Sequence, residues 1–220
     1  AGTTLPESRR RSLVEIAREH DLIIVEDDPY GALRYNGDPL TPISAMAPER
    51  TLYLGTFSKT LTPGLRIGWV AAPAEIRQHL VLAKQGADLH SSTFDQMIAN
   101  DIAQRGIIEA HVRHLRKTYG SRRDTMLEAL AEFWPEECCW TRPQGGLFLW
   151  ARIPGAVDTK EMLTIGIENK VAFVPGVNFY PYADGGQSAM RLNFSNAKPD
   201  MIVEGIRRLG VTVKEALMQA

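Results

Sequence analysis

The sequence lacks the features that mark several special classes of protein. It has only two cysteines, no apolar run of membrane-spanning length and no secretory signal pattern. Its 25 Lys and Arg residues nearly balance its 26 Asp and Glu residues, which gives a net charge of −1. Nucleic-acid wrapping and electrostatic membrane anchoring both need a cationic excess. We therefore expect a protein that binds neither nucleic acid nor membranes.

Disulfide and metal chemistry are also poorly supported. Cys138 and Cys139 are adjacent, which is too close for ordinary disulfide geometry, and neither has a metal-type spacing such as C-x-x-C. His111 and His114 lie three residues apart, but no Cys or third His stands at a ligand spacing beside them. We expect two reduced cysteines, no metal site and a cytoplasmic protein.

Methionine is missing from the start of the sequence, since the first one is Met46. The apolar fraction of 44% is that of an ordinary globular protein, so composition alone gives no sign of a partial chain. We nevertheless expect the natural start to lie upstream of Ala1.

The pattern of apolar residues indicates an α/β fold that changes character after a long helix. Leu22–Val25 and Leu52–Phe57 are continuous apolar runs, typical of strands covered on both faces, and Leu65–Ala72 predicts a third strand. Apolar residues then recur at helical spacing from Ile107 to Trp134, which predicts a long amphipathic helix. Beyond it, short strands and helices mix in an α+β manner.

Chemically useful residues follow the first two predicted strands. Asp27 and Tyr30 come after the first strand. Thr56 lies near the end of the second, and Ser58 and Lys59 follow that strand directly. Ligands of α/β sheets bind outside the carboxyl ends of the strands. A lysine at such a place can have its pKa lowered by desolvation or by nearby cations, as an amine nucleophile requires.

Together with Arg66, these residues describe a site for pyridoxal phosphate. The turn at 62–64 can fold Arg66 back towards Lys59, and a guanidinium beside two hydroxyl groups suits a phosphate. The Asp27 carboxylate can keep a ring nitrogen protonated, and the Tyr30 hydroxyl can bind a ring oxygen. Taken singly, Asp27 could cap a turn, Lys59 could be a surface lysine and Arg66 could pair with a loop carboxylate. Their joint occurrence on successive strand ends favours the cofactor site.

Five segments carry a resemblance to a known family: Val25–Gly31, Gly55–Gly68, Arg142–Trp150, Phe173–Gly176 and Met190–Phe194. On these segments the sequence resembles the fold-type I pyridoxal-phosphate aminotransferases of class I/II, over essentially the whole chain. Lys84–His90 and Val177–Tyr180 are most similar to the 2-aminoadipate aminotransferase type. That type accepts aminoadipate, glutamate, leucine and aromatic amino acids, usually with 2-oxoglutarate as the amino-group acceptor.

The resemblance implies a domain arrangement and a role for each residue. Residues 1–106 would be the C-terminal part of a large cofactor-binding α/β domain, and 107–220 an α+β small domain, linked by a helix at about 107–134. It implies that Lys59 carries the cofactor and moves the proton, and that Asp27 and Tyr30 hold the cofactor ring. It implies that Thr56, Ser58 and Arg66 hold the cofactor phosphate. Arg191 would bind the substrate α-carboxylate. The whole protein would be a homodimer.

The resemblance begins in the middle of the family's pattern. The preceding half would supply the rest of the phosphate cup, the aromatic ring that stacks on the cofactor and the segment that closes the pocket. We therefore expect these 220 residues alone to be inactive.

Two other functions fit the same residues. The first is the effector domain of a GntR/MocR-type transcription regulator, which keeps the lysine and binds pyridoxal phosphate without turnover. The second is another fold-type I reaction, such as that of a β-lyase. The presence of Arg191 and of Lys84–His90 favours the aminotransferase.

Overall fold

The computed structural model describes residues 2–182 and 185–219. The chain divides into two compact units, one formed by Leu5–Arg116 and the other by Ala1–Thr4 with Lys117–Ala220. The division falls inside the longest helix, α5 (Ile107–Phe133), whose first residue is also the first residue of the predicted small domain.

The unit at 5–116 contains a three-stranded sheet with helices before and after it. Its elements are α1 (Glu7–Glu19), β1 (Ile24–Asp27), α2 (Ile43–Met46), β2 (Thr51–Thr56), β3 (Gly68–Ala71), α3 (Ala74–Ala87), α4 (Thr93–Gln104) and the first turns of α5. The strand order is β1-β2-β3, with β1 parallel to β2 and β3 antiparallel to β2. The three predicted strands are present, although β1 begins two residues later and β3 three residues later than predicted.

The first strand is not covered on both faces within the described residues, so that prediction is wrong. A small core beneath β1 joins Ile24 to residues of α1 and α2, among them Val14 and Ile43. Side chains alternate along a strand, so Val25 points away from this core, and it is 61% exposed. The helices α1 and α2 therefore cover one side of β1 and leave the other side open.

The second unit is an α+β layer, in agreement with the sequence pattern. It contains β4 (Cys139–Trp140), β5 (Phe148–Arg152), α6 (Thr159–Glu168), β6 (Val174–Pro175), β7 (Ala189–Asn193) and α7 (Pro199–Gln219). The strands form an antiparallel sheet in the order β4-β5-β7-β6. Its core is almost fully closed to solvent and includes Leu149, Met162, Met190, Phe194, Leu209 and Val213.

Across the described ranges 2–182 and 185–219, no helix has both the length and the apolarity needed to cross a membrane. The same ranges contain no cluster of three or more His, Cys, Asp or Glu residues that could hold a metal ion.

Candidate functional site

The loops that follow β1 and β2 leave the first sheet at the carboxyl ends of these strands. Asp27 is the last residue of β1 and stands opposite Leu54 of β2, and Thr56 is the last residue of β2. Because β1 and β2 are parallel and paired in this register, the loops that follow them emerge side by side. The loop after β1 carries Tyr30 and the loop after β2 carries Lys59. Both predicted groups therefore lie in loops at the carboxyl ends of these two strands.

Hydrogen bonds close the loop that carries Lys59. The Ile67 carbonyl accepts from the Thr56 hydroxyl at 3.0 Å and from the Phe57 N–H at 3.2 Å. The Thr56 hydroxyl in turn accepts from the Ser58 N–H at 3.1 Å. These bonds join the two ends of the loop, so Arg66, which precedes Ile67, is held near Thr56 and Ser58. The half-buried Lys59 lies inside this closed loop.

Arg66 has an unusual backbone conformation. Its φ of 54° and ψ of 34° lie in the left-handed region, which costs a residue other than glycine on the order of 1–3 kcal/mol. Its guanidinium donates to the Pro63 carbonyl at 3.2 Å, so the side chain folds back over its own turn. Left-handed residues of this kind cluster at ligand sites because the surrounding structure must hold them.

A tyrosine and a second aspartate, which the sequence analysis did not single out, tie the two loops together. The Tyr53 hydroxyl donates to Asp28 Oδ2 at 2.9 Å, and the Asp28 N–H donates to the Leu54 carbonyl at 3.1 Å. Burial, and then the hydrogen bond to Asp28, raise the pKa of Tyr53 to about 12. No sequence signal marks this pair, because the bond depends on the register in which β1 and β2 are paired.

A cavity of about 540 Å³ lies against the same part of the sheet. Its lining includes Asp28, Tyr53 and Trp69, together with Arg113 from the first turns of α5. The rings of Tyr53 and Trp69 stand 5.4 Å apart, and a Cβ placed on Gly55 would lie 2.3 Å from the Trp69 ring, so glycine is needed there. In the part of the chain that is described, Thr56 is the only predicted cofactor residue that lines this cavity.

Arg191 belongs to the other unit, where two aromatic rings lie close to its guanidinium. Its Cζ atom lies 4.1 Å from the centre of the Phe148 ring and 4.7 Å from the centre of the Phe179 ring. Phe179 also packs edge-on against Trp150 at 5.4 Å. Sequence reasoning assigned no role to either phenylalanine, although Phe148 stands in a segment that carried the family resemblance and Phe179 in one that carried the likeness to the 2-aminoadipate type.

The environment of Arg191 suits a carboxylate ligand. Its Nε atom is buried and has no hydrogen-bond acceptor within the described residues. A buried donor without an acceptor is costly, and a bidentate carboxylate satisfies such a group. The contacts with two rings also displace water from around the guanidinium, which strengthens its interaction with an anion.

The polar groups at the carboxyl ends of β1 and β2 fit pyridoxal phosphate. A carboxylate (Asp27) and a phenol (Tyr30) stand at one strand end, and these suit a ring nitrogen and a ring oxygen. Hydroxyl groups and an amine stand at or just after the other strand end, and the Arg66 guanidinium comes from the far end of the same closed loop. These groups suit a phosphate and an aldehyde. The fold and this donor set define a protein of the pyridoxal-phosphate-dependent class.

Comparison with known proteins identifies the family. The family described as "Aminotransferase class I and II" matches residues 1–209. The chain therefore belongs to the class I and II aminotransferases. It is 47% identical to aromatic-amino-acid aminotransferase 1 of Thermococcus litoralis, over 99% of this chain and 52% of that protein.

Solved structures give the same result for the fold. Kynurenine aminotransferase of Pyrococcus horikoshii, in complex with PMP, superposes with a TM-score of 0.95 at 48% identity, over 99% of this chain and 54% of that one. The α-aminoadipate aminotransferase of Thermus thermophilus, complexed with N-(5′-phosphopyridoxyl)-L-leucine, superposes with a TM-score of 0.92 at 36% identity. The match covers 98% of this chain and 56% of that one. The chain thus spans about half the length of the relatives it matches.

The comparisons also bear on the alternative function. The HTH-type transcriptional regulator YisV of Bacillus subtilis is 31% identical over 99% of this chain and 44% of that protein. The aminotransferases above match at higher identity. The predicted family and fold type are confirmed, whereas the residue roles and the domain boundary at 106–107 remain predictions.

Proposed function

We propose that the whole protein is a pyridoxal-phosphate-dependent aminotransferase that moves the amino group of an amino acid to a 2-oxo acid such as 2-oxoglutarate. The observation that carries this proposal is that the Asp27–Tyr30 and Thr56–Lys59 loops lie side by side at the carboxyl ends of β1 and β2. The names of the similar proteins, which cover aromatic amino acids, kynurenine and aminoadipate, support a donor of that range.

When bound, the cofactor supplies an aldehyde that bonds to amines and an electron-poor ring that stabilises negative charge on the neighbouring carbon. Asp27 would hold the ring nitrogen protonated through a charged hydrogen bond, and Tyr30 would donate to the ring oxygen. Thr56, Ser58 and Arg66 would bind the phosphate. Lys59 would attach the cofactor and then carry the proton to and from the substrate α-carbon.

Arg191 would set the orientation of the substrate. A bidentate pair between its guanidinium and the α-carboxylate fixes the α-carbon, and so directs the bond to hydrogen towards the amine that removes the proton. The Phe148 and Phe179 rings would keep the guanidinium in one plane and exclude water from it. We place the protein in the cytoplasm as a homodimer, with residues 1–106 in the large domain and 107–220 in the small domain.

The experiment is a donor panel on the complete protein. We expect stoichiometric visible absorbance with pyridoxal phosphate, and turnover with aminoadipate, kynurenine or an aromatic amino acid when 2-oxoglutarate is present. Lys59→Ala should abolish turnover, whereas Lys170→Ala, an exposed lysine of the other unit, should not. Bound cofactor without turnover of any donor would favour the regulator, and no cofactor binding would contradict both functions.

A further inference from the structure

The proposed function leaves the hydrogen bond between Tyr53 and Asp28 without a role. The Tyr53 hydroxyl lies 2.9 Å from Asp28 Oδ2, and it reaches across from the middle of β2 to the first residue after β1. Asp28 stands between Asp27 and Tyr30 in the chain, so its carboxylate belongs to the same four-residue segment as the two proposed ring-binding groups.

The Asp28 carboxylate is confined on a second side by Gly31. A Cβ placed on Gly31 would lie 2.1 Å from Oδ2 and 2.6 Å from Oδ1, closer than any real contact. The carboxylate therefore fills the space that a larger residue would occupy. Because the Tyr53 hydroxyl bonds one of these oxygens, it fixes the carboxylate against the backbone of the next turn.

Tyr53 is suited to act as a permanent donor. Burial and the neighbouring Asp28 carboxylate raise its pKa to about 12, so the hydroxyl keeps its proton near neutral pH. Its ring packs against Trp69 at 5.4 Å, which restricts the direction in which the hydroxyl points. Hydrogen bonds from a neutral donor to a charged acceptor are among the stronger ones in proteins.

We propose that the Tyr53–Asp28 hydrogen bond sets the position of Asp27 and Tyr30 towards the cofactor ring, which makes Tyr53 and Asp28 positioning residues. The proposal rests on the proposed function, because it concerns the same cofactor site. The mechanism is geometric. Asp27 and Tyr30 flank Asp28 on the same short segment, so a shift of the Asp28 carboxylate turns the backbone that carries both of them.

A purely structural role is the competing explanation. The bond could only tie β1 to β2, although a parallel ladder of four residue pairs already joins these strands. The two explanations differ in what the loss of the hydroxyl should change. A tie between strands affects thermal stability, whereas a positioning bond affects cofactor affinity and the visible absorbance of the bound cofactor.

The test uses Tyr53→Phe in the complete protein, because this change removes the hydroxyl and keeps the ring. We measure the pyridoxal phosphate dissociation constant, the position and intensity of the visible absorbance band at fixed pH, and the thermal midpoint. We expect about tenfold weaker cofactor binding and a shifted or weakened band. Asp28→Ala should have the same effects, and the double variant should be no worse than Asp28→Ala.

The matched control is Arg50→Met, which loosens the start of β1, at the end of the strand far from Asp28. Arg50 directly precedes β2 and donates to the Ala17 carbonyl at 2.9 Å and to the Leu22 carbonyl at 3.2 Å. Its loss should lower the thermal midpoint at least as much as Tyr53→Phe does, with cofactor affinity within about twofold of the parent, since it removes bonds of ordinary strength only.

Three results would contradict the proposal in distinguishable ways. If the parent protein binds cofactor and Tyr53→Phe has the same affinity and the same band, the positioning role is wrong and the proposed function stands. If Tyr53→Phe and Arg50→Met weaken cofactor binding equally at equal loss of stability, the bond is only structural. If the parent protein gives no band with pyridoxal phosphate, the proposed function fails and this inference fails with it.

Discussion

The Arg191 guanidinium carbon lies 4.1 Å from the centre of the Phe148 ring, and the two residues come from neighbouring antiparallel strands. Phe148 stands opposite Asn193, two residues from Arg191, so both side chains lie on the same face of the sheet. The centre of the Phe179 ring lies 4.7 Å from the same carbon. A carboxylate forms a bidentate pair along the N–H edge of a guanidinium, and the ring contacts to the central carbon do not use those N–H groups.

Phe148→Leu should therefore weaken carboxylate binding more than it weakens the chemistry. The stacking of one ring on a partly desolvated guanidinium is worth about 1 kcal/mol, which corresponds to about fivefold in affinity. We expect KM to rise by about that factor for both the amino acid and the 2-oxo acid, because each presents the same carboxylate. Steady-state kinetics with both substrates varied measures this.

Phe173→Leu provides the control, since it makes the same change at a buried phenylalanine that packs against Gly166 in the same unit. It should lower stability through the cavity it leaves, and KM should stay near the parent value. A rise in KM that is equal in both variants would mean that general loosening of the unit, rather than the ring on Arg191, controls substrate affinity.

Two substitutions of Arg66 test its contribution to cofactor affinity and the strain of its backbone separately. Arg66→Gly and Arg66→Ala both remove the guanidinium, so each should weaken pyridoxal phosphate binding by at least about tenfold. Only glycine adopts the left-handed φ of 54° without strain. Arg66→Gly should therefore be more stable to unfolding than Arg66→Ala by about 1 kcal/mol.

Denaturant unfolding without cofactor and cofactor titration of the folded protein measure these two quantities independently. Equal stability of the two variants would show that the surrounding turn does not hold residue 66 in the left-handed region. Parent-like cofactor affinity in both would remove Arg66 from the phosphate site.

The sequence could predict the parts of the site that depend on strand ends and their order. Asp27 and Lys59 follow apolar runs, and parallel pairing of β1 and β2 then brings their loops together. The Tyr53–Asp28 bond could not be predicted in the same way, because it depends on strand register and on which face of β2 carries the tyrosine. The open face of β1 was missed for a related reason, since an apolar run gives no information about whether another element covers it.

The adjacent cysteines should differ strongly in reactivity. Cys138 is buried, and burial followed by the neighbouring Glu137 and Cys139 raises the pKa of its thiol to about 11, whereas Cys139 is exposed. The thiolate is the reactive form, so one thiol per chain should react quickly with a disulfide reagent at neutral pH. The second should react only when the protein unfolds.

Cys139→Ser identifies the fast thiol, because it should abolish the rapid phase and leave the slow one. If the rapid phase survives in this variant, Cys138 is accessible in solution and its burial in the structure does not persist.

The apolar side chains exposed on the first sheet predict the behaviour of the 220-residue chain by itself. Leu22 and Ile23 are more than half exposed just before β1, and Val25 on β1 and Trp69 on β3 are also open to solvent. In this three-stranded sheet β1 and β3 are both edges. Exposed apolar strand edges pair with other chains. The isolated chain should therefore self-associate and give no turnover with any donor.

Light scattering, cofactor titration and the donor panel test this prediction, with the complete protein as the positive control. Leu22→Lys with Val25→Lys should reduce self-association, because charges at a sheet edge oppose pairing. These substitutions should not restore activity, because they add no group that could bind cofactor or substrate. A monodisperse 220-residue chain that binds one pyridoxal phosphate and transaminates would contradict the prediction.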